Sequence, residues 1–331
     1  MAEFISSFIT GFQNVVKNDL SKRLKSIKIL NIFDGLVHFS YSGNSHDLEK
    51  ITYFNNTFFV LKTFRGKNLN FQTLINSVSN EKKYYLINKG TFRVRFSNEN
   101  QFCKVEKNLI RKAENIVLEN SKLKIDRVSP STEIWYSIRR ENFAFCGQLI
   151  SKREFTEKNL NKGELRPEIA YLICCFADFQ EEQVIAEPFC GYGSIPIQLV
   201  KKFNFSKLYI SDIDEEKIKF ISEKKQLKDN EKFEISVQNA FELKNIPNKS
   251  VGCIITDPPW GFYENIGNIE EFYEKMFASF FRILKDDGKM IILSARKDEL
   301  EKTICKMNIQ ITDRVNTLVN GKKASLYKLT F

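Results

Sequence analysis

The stretch QVIAEPFCGYGSIPIQLVKKF, residues 183–203, decides how the second half of this chain folds. It opens on a short apolar run closed by Pro188, the composition of a buried strand. Further on, IPIQLVKKF repeats apolar residues at three- and four-residue spacing, the pattern of a helix. Gly191 and Gly193 lie between the two, where a backbone without Cβ atoms turns sharply and passes close beneath a bound molecule. Pro196 suits the first turn of the helix. Strand, glycine turn and helix in that order make a ligand loop. A tight structural turn explains the loop equally well when it is taken alone, and Pro196 stands where the dinucleotide fingerprint has its third glycine.

The loop does not stand alone. KLYISD, FEISV, VGCIITD and KMIILS read as further strands, with helical patterns such as EEKIKFISEKKQL and IEEFYEKMFASFFRIL between them. This alternation predicts an α/β, doubly wound, mostly parallel sheet with ligands at the carboxyl ends of its strands. NIQITDRV and ASLYKLTF flank Asn320-Gly321, a hairpin signal that makes the last two strands antiparallel neighbours. Four consecutive strand ends carry polar or unusual residues: the glycine turn, Ser211-Asp212-Ile213-Asp214, Gln238-Asn239-Ala240, and TDPPWGFYENI at 256–266. Asp212 is placed to accept hydrogen bonds from the hydroxyls of a ribose. Turn geometry accounts for the two prolines of the last stretch, but not for a large exposed aromatic at Trp260.

The first half carries the charge. Residues 1–163 hold 27 Lys and Arg against 15 Asp and Glu, a net charge of +12, while residues 164–331 are at −2. A basic half joined to a near-neutral one suggests a nucleic-acid-binding module, and a lysine-rich soluble surface is the plainer alternative. Candidate strands FISSFIT, ILNIF, LVHFS, TFRVRFS and IWYSIRR surround helical segments at 12–24 and 104–120, an α+β pattern. Arg93 and Arg95 fall on one side of a strand, followed by a helix bearing Lys104, Lys107 and Arg111, an array suited to phosphates or to a solvated face. The expected boundaries are a module over 1–150, a polar linker over 151–165 and a second domain over 166–331, whose first helix has Pro167 in its first turn.

Seven cysteines, mostly in apolar runs and without a CxxC pair, together with only two histidines, argue for a reducing cytoplasm and against a metal site. No run is long enough for a membrane helix, and no secretory signal is evident. A monomer is expected.

Asp257-Pro258-Pro259-Trp260 resembles the signature of class I S-adenosylmethionine-dependent methyltransferases acting on exocyclic amino groups, and the resemblance covers nearly all of 163–331. It implies a Rossmann-like seven-stranded sheet, with Asp257, Pro258, Pro259 and Trp260 as the catalytic motif. A base amine is a poor nucleophile because its lone pair is delocalised into the ring. The Asp257 carboxylate and Pro258 carbonyl, accepting its hydrogens, favour a pyramidal nitrogen, and Trp260 offers a stacking face. Asp257 acts as base or as acceptor only. On the same resemblance S-adenosylmethionine is held by the turn Glu187, Phe189, Cys190, Gly191, Gly193 and Ser194, with its ribose at Asp212 and with Ile213 among the cofactor-binding residues. Asn239 and Ala240 lie near its adenine, and Arg166, Pro167 and Asp257 complete the site. Glu187, Tyr192 and Asn239 depart from the residues usual at their places. Cysteine-dependent C5 methylation needs a thiol in the motif, so the Cys190 thiol reads as packing.

The whole chain, and GELRPEIA in particular, resembles the THUMP-containing RNA methyltransferases. This implies a ferredoxin-like and THUMP module that grips tRNA near the acceptor stem, and N2-methylguanosine as product. A DNA or RNA adenine-N6 or cytosine-N4 enzyme, a non-catalytic RNA-binding protein and a nicotinamide dehydrogenase are the competing readings.

Overall fold

The five apolar runs of the second half form parallel strands in the computed structural model, which describes residues 1–153, 160–227, 231–262 and 266–331. They are β10 (Val184–Glu187), β11 (Lys207–Asp212), β12 (Phe233–Val237), β13 (Val251–Thr256) and β14 (Leu284–Ser294). The hairpin β15 (Gln310–Val319) and β16 (Lys322–Thr330) follows. The strand order is β12-β11-β10-β13-β14-β16-β15, and β16 runs antiparallel to both its neighbours. Asn320 and Gly321 both have positive φ, 49° and 78°, as the hairpin's two-residue turn requires. Because the order reverses at β10, the carboxyl ends of β10 and β13 lie side by side, which is where open α/β sheets take their ligands.

Helices α5 (Pro167–Ala177), α6 (Ser194–Lys202), α7 (Glu215–Ser222), α8 (Ile269–Ile283) and α9 (Lys297–Lys306) accompany this sheet. The α8 stripe Tyr273, Met276, Phe277 and Phe280 is fully buried against Ile254, Met290, Ile292 and Tyr327 of the strands. Asp214 and Asn268 cap α7 and α8, each side chain accepting two backbone N–H groups of the first turn.

The first half forms one mixed sheet of nine strands among the described residues: β1 (Ala2–Ser7), β2 (Ile27–Phe33), β3 (Leu36–Tyr41), β4 (Asn56–Arg65), β5 (Thr91–Asn98), β6 (Gln101–Phe102), β7 (Lys124–Ile125), β8 (Thr132–Arg139) and β9 (Phe143–Lys152). The first half of the sequence also forms α1 (Gln13–Arg23) and α2 (His46–Glu49), and α3 (Phe71–Ser79) and α4 (Lys107–Asn120) pack Leu74, Ile75, Ile116 and Val117 onto Phe92, Phe96 and Ile134. The central pair β4 and β9 escapes the sequence reading. Two register shifts, at Thr57/Phe58 and Val60/Lys62, break the two-residue alternation by which a strand is recognised.

The expected linker needs correction at its start. β9 continues through Ser151 and Lys152, and the Arg153 amide donates to the Asn55 carbonyl at 2.7 Å, so the sheet extends into 151–165. Residues 154–159 lie outside the described part. The chain divides into two units, Met1–Phe8 with Lys17–Glu154, and Ile9–Val16 with Phe155–Phe331. The expected first strand therefore ends early, at Ser7. Among the described residues no helix is long and apolar enough to cross a membrane, and no three His, Cys, Asp or Glu side chains are arranged so that they could hold a metal ion.

Within the second unit Thr317 donates its hydroxyl to the Thr10 carbonyl at 2.8 Å. Next to it Gly11 has φ +91°, and a Cβ there would overlap the carbonyl oxygen of Asn316. Gly11→Ala should therefore destabilise the protein by on the order of 2 kcal/mol, seen as a lower melting temperature. An unchanged melting temperature contradicts this packing.

Candidate active site

The glycine turn is built on backbone hydrogen bonds. Cys190 N–H donates to the Ser211 carbonyl at 3.0 Å and Gly193 N–H to the Cys190 carbonyl at 2.8 Å. Gly191 and Gly193 both lie in the left-handed region, and the space where a Gly191 side chain would project is open. The Gly191 amide donates to Asp212 Oδ2 at 2.8 Å, and the Asp214 amide donates to Oδ1 at 3.0 Å. Each oxygen of this buried carboxylate is thus fixed by one amide and keeps acceptor capacity for a ligand hydroxyl. Beside it Ile213 is 70% exposed, an apolar surface at a polar strand end.

Two residues on the flank of the turn are also located. Ser194 donates its hydroxyl to the Leu165 carbonyl at 2.9 Å, which brings the segment preceding Arg166 and Pro167 next to the turn. Arg166 pairs with the buried Glu168 at 3.4 Å. Asn239 serves its own turn, its Oδ1 accepting from the Phe241 amide at 2.9 Å, and Ala240 is buried beside it.

Carboxyls gather where the strand order reverses. Glu187, at the end of β10, is 1% exposed. Its Oε1 accepts from the Thr256 hydroxyl at 2.7 Å, while Oε2 is enclosed without a partner of good geometry among the described residues. Burial pushes its proton affinity well above the usual carboxylate range. The Thr256 hydroxyl and the Phe189 amide oppose that rise, and the neighbouring Asp257 and Asp212 reinforce it. Asp257 follows β13. Part of the residue reaches solvent, but Oδ1 is closed off and lacks any hydrogen-bond partner among the described residues. Burial pushes its pKa up to about 8, against the opposing pull of the Trp260 side chain. Three acids with two unsatisfied oxygens suit a ligand bearing positive charge and N–H donors. A sulfonium-bearing nucleoside and a base amine meet that description.

The DPPW loop is anchored at its far end. Trp260 is half-buried, not the exposed plate expected, and its indole N–H points to the Leu293 carbonyl at 3.4 Å. The Trp260 carbonyl accepts from Arg296 Nε at 2.8 Å. Sequence reasoning missed Arg296, although it follows the end of β14 as Asp257 follows the end of β13. A fifth polar strand end was the available signal. Residues 263–265 of the quoted motif lie outside the described part.

Arg93 and Arg95 do share a strand face, but as part of a closed cluster. Arg93 Nε donates to Glu133 Oε1 at 2.8 Å, Arg95 Nε lies 3.6 Å from the same oxygen, and Trp135 donates to Oε2 at 2.7 Å. Burial raises the proton affinity of Glu133, yet these hydrogen bonds and charges outweigh it and leave the carboxyl below its ordinary range. The open phosphate-holding array expected at Arg93 and Arg95 is thus largely committed internally. Lys104, just before α4, and Lys107 and Arg111, in its first two turns, are exposed.

The state of Asp257 has a thermodynamic signature. An unfolded chain releases this proton near pH 3.8, whereas the folded chain retains it to about 8. The folded state therefore binds the extra proton between these values, and stability falls as pH rises through the window. Asp257→Asn removes that loss. Melting temperatures of variant and parent should diverge in the variant's favour between about pH 5 and about pH 9. A constant or narrowing gap contradicts the high proton affinity.

Comparison with known proteins agrees with this architecture. The family model described as RMKL-like, methyltransferase domain matches residues 153–325. The tRNA (guanine(6)-N2)-methyltransferase of Methanocaldococcus jannaschii is 22% identical over 222 residues, 55% of this chain and 57% of that protein. The tRNA (guanine(10)-N2)-dimethyltransferase of Methanothermobacter thermautotrophicus is 25% identical over 199 residues, 57% of this chain and 58% of the relative. The chain thus spans little more than half the length of these curated relatives. Among solved structures, TrmN from Thermus thermophilus has a TM-score of 0.79 at 16% identity, covering 100% of this chain and 99% of its own. SMU.472, crystallised with SAH, has a TM-score of 0.70 at 14% identity, covering 99% and 98%. At such identities the likeness is one of fold. The strand order, the glycine turn and a family match over just more than half of the sequence lead to one conclusion: the chain belongs to the RMKL-like methyltransferase domain family.

Proposed function

We propose that this protein transfers a methyl group from S-adenosylmethionine to the exocyclic N2 of a guanosine in tRNA. The observation that carries the reading is the buried, unpartnered Oδ1 of Asp257, which follows the strand paired with the one that leads into the glycine turn. The activities named for the two archaeal relatives, both on guanine N2 of tRNA, support the choice of amine and of RNA.

In this reading the turn from Glu187 to Ser194 receives the methionine part of the cofactor, Asp212 its ribose, and Ile213 with Asn239 and Ala240 its adenine. The cofactor supplies an electrophilic methyl carbon on a positively charged sulfur. Asp257 and the Pro258 carbonyl would accept the two amine hydrogens and so free the nitrogen lone pair to form the N–C bond with the methyl group, for which the neutral thioether would be the leaving group. Next to a cationic sulfur Asp257 is held ionised and able to accept. Once that charge is gone, burial again favours the protonated carboxyl, and Asp257 takes the proton that the methylated nitrogen releases. Pro258 and Pro259 stiffen the loop, so the acceptors are in place before the base arrives.

The first half serves in this reading as the ferredoxin-like and THUMP module that holds tRNA near the acceptor stem. Exposed Lys104, Lys107 and Arg111 are better placed to meet phosphates than Arg93 and Arg95. Reversing the charge of these three residues should weaken tRNA binding at modest salt and leave cofactor affinity unchanged; equal tRNA affinity removes them from the interface.

Mass spectrometry of nucleosides from tRNA incubated with the protein and labelled cofactor tests the reaction. N2-methylguanosine is expected, and methylated adenine, cytosine or duplex DNA overturns the reading. Asp257→Ala should lower turnover at least about a hundredfold while affinity for S-adenosylhomocysteine, which lacks the sulfonium charge, stays within a few-fold. Full turnover in that variant excludes the role given to the carboxylate.

A further inference from the structure

Trp260 would stack the base only if its plane is fixed, and the contacts around it point to one residue. Arg296 Nε donates to the Trp260 carbonyl at 2.8 Å. Gly261, with φ +71°, turns the chain there, and a Cβ on it would stand 3.6 Å from Arg296 Nη2. The Arg296 guanidinium also lies 4.9 Å from the Phe262 ring centroid, and that ring meets Trp260 edge to face at 6.2 Å with planes 82° apart. Three successive loop residues are therefore gathered around one side chain.

Arg296 is itself held from the sheet. Its backbone N–H donates to Ser294 Oγ at 2.9 Å, and Ser294 shares a buried hydrogen bond of 2.9 Å with Tyr273 of α8. Its guanidinium faces Glu299 at 3.6 Å. Lys322, at the start of β16, places its ammonium 3.2 Å from the Phe262 centroid and braces the same ring. These contacts link α8 and β14 to the loop that presents Asp257, and β16 adds a second hold on Phe262.

We propose that Arg296 is the positioning residue of the methyl-transfer site, latching the loop through the Trp260 carbonyl so that the indole stands at a fixed angle over the target base. The latch also occupies the Trp260 carbonyl, leaving Asp257 and the Pro258 carbonyl as the acceptor pair for the amine. This rests on the proposed base methylation, but its structural content is read independently of it. The chain has two tryptophans, so Trp135→Phe leaves Trp260 as the only one, excited selectively over the tyrosines at the red edge of their absorption.

In that background Arg296→Met should shift tryptophan emission to the red and increase acrylamide quenching. It should lower kcat about ten- to a hundredfold with the KM for the cofactor unchanged. Arg296→Lys keeps the charge and one donor, and should fall between the two in both readouts. Parental emission and quenching in Arg296→Met overturn the proposal, as does a kcat loss without any change in emission. If Arg296→Met fails to fold, Arg296→Lys decides: an intermediate shift supports the latch, and an unchanged spectrum refutes it. Should the parent methylate no guanosine, the emission arm still reports whether Arg296 holds Trp260.

Discussion

Burial of carboxyl groups at adjacent strand ends is the constraint on which the site depends. Asp212 receives a backbone amide on each oxygen; Glu187 has a hydroxyl on Oε1 and only the pull of the Phe189 amide besides; and Asp257 has the pull of the Trp260 side chain alone, with Oδ1 unpartnered among the described residues. Internal satisfaction thus declines from β11 through β10 to β13. A folded protein rarely leaves such a group without a partner, because the desolvation it suffers is not offset. The cost falls where the order of parallel strands reverses and a ligand can approach both ends together. What the chain withholds from Asp257 is what a cationic donor and an amine provide.

Rigidity around the acid follows from simple devices. Two prolines restrict the backbone after Asp257, and Gly261 permits the left-handed turn that ends the stiff segment. The buried face of α8, with Tyr273 and Phe277 fully enclosed, fixes the sheet end from which Ser294 and Arg296 reach back. Packing energy from the core of the second unit is in this way transmitted to a loop that has little core of its own.

Much of the second unit was legible because its physics is local. Strand and helix periods, the glycine turn and Asn320-Gly321 are each decided within a few residues. Features decided at long range were not. Glu133 meets Arg93 only because β8 lies parallel to β5, so two arginines that read as an open basic array share one carboxylate from a different segment. Bulges hid β4 and β9, the central pair of the first sheet. Arg296 carries only a weak local mark, a polar residue after a strand end, since its role arises from a loop contributed by the neighbouring strand.

The central claim is that Asp257 keeps a proton in the free protein and yields it to a ligand's positive charge. Carboxyl 13C chemical shifts, followed by NMR against pH with an Asp257→Asn sample to assign the signal, measure this directly. The free protein should titrate at about 8. A cofactor analogue with an ammonium in place of the sulfonium should move the titration well down, and S-adenosylhomocysteine, which lacks that charge, should not. A midpoint near 4 without ligand, or identical behaviour with the two ligands, would contradict the account.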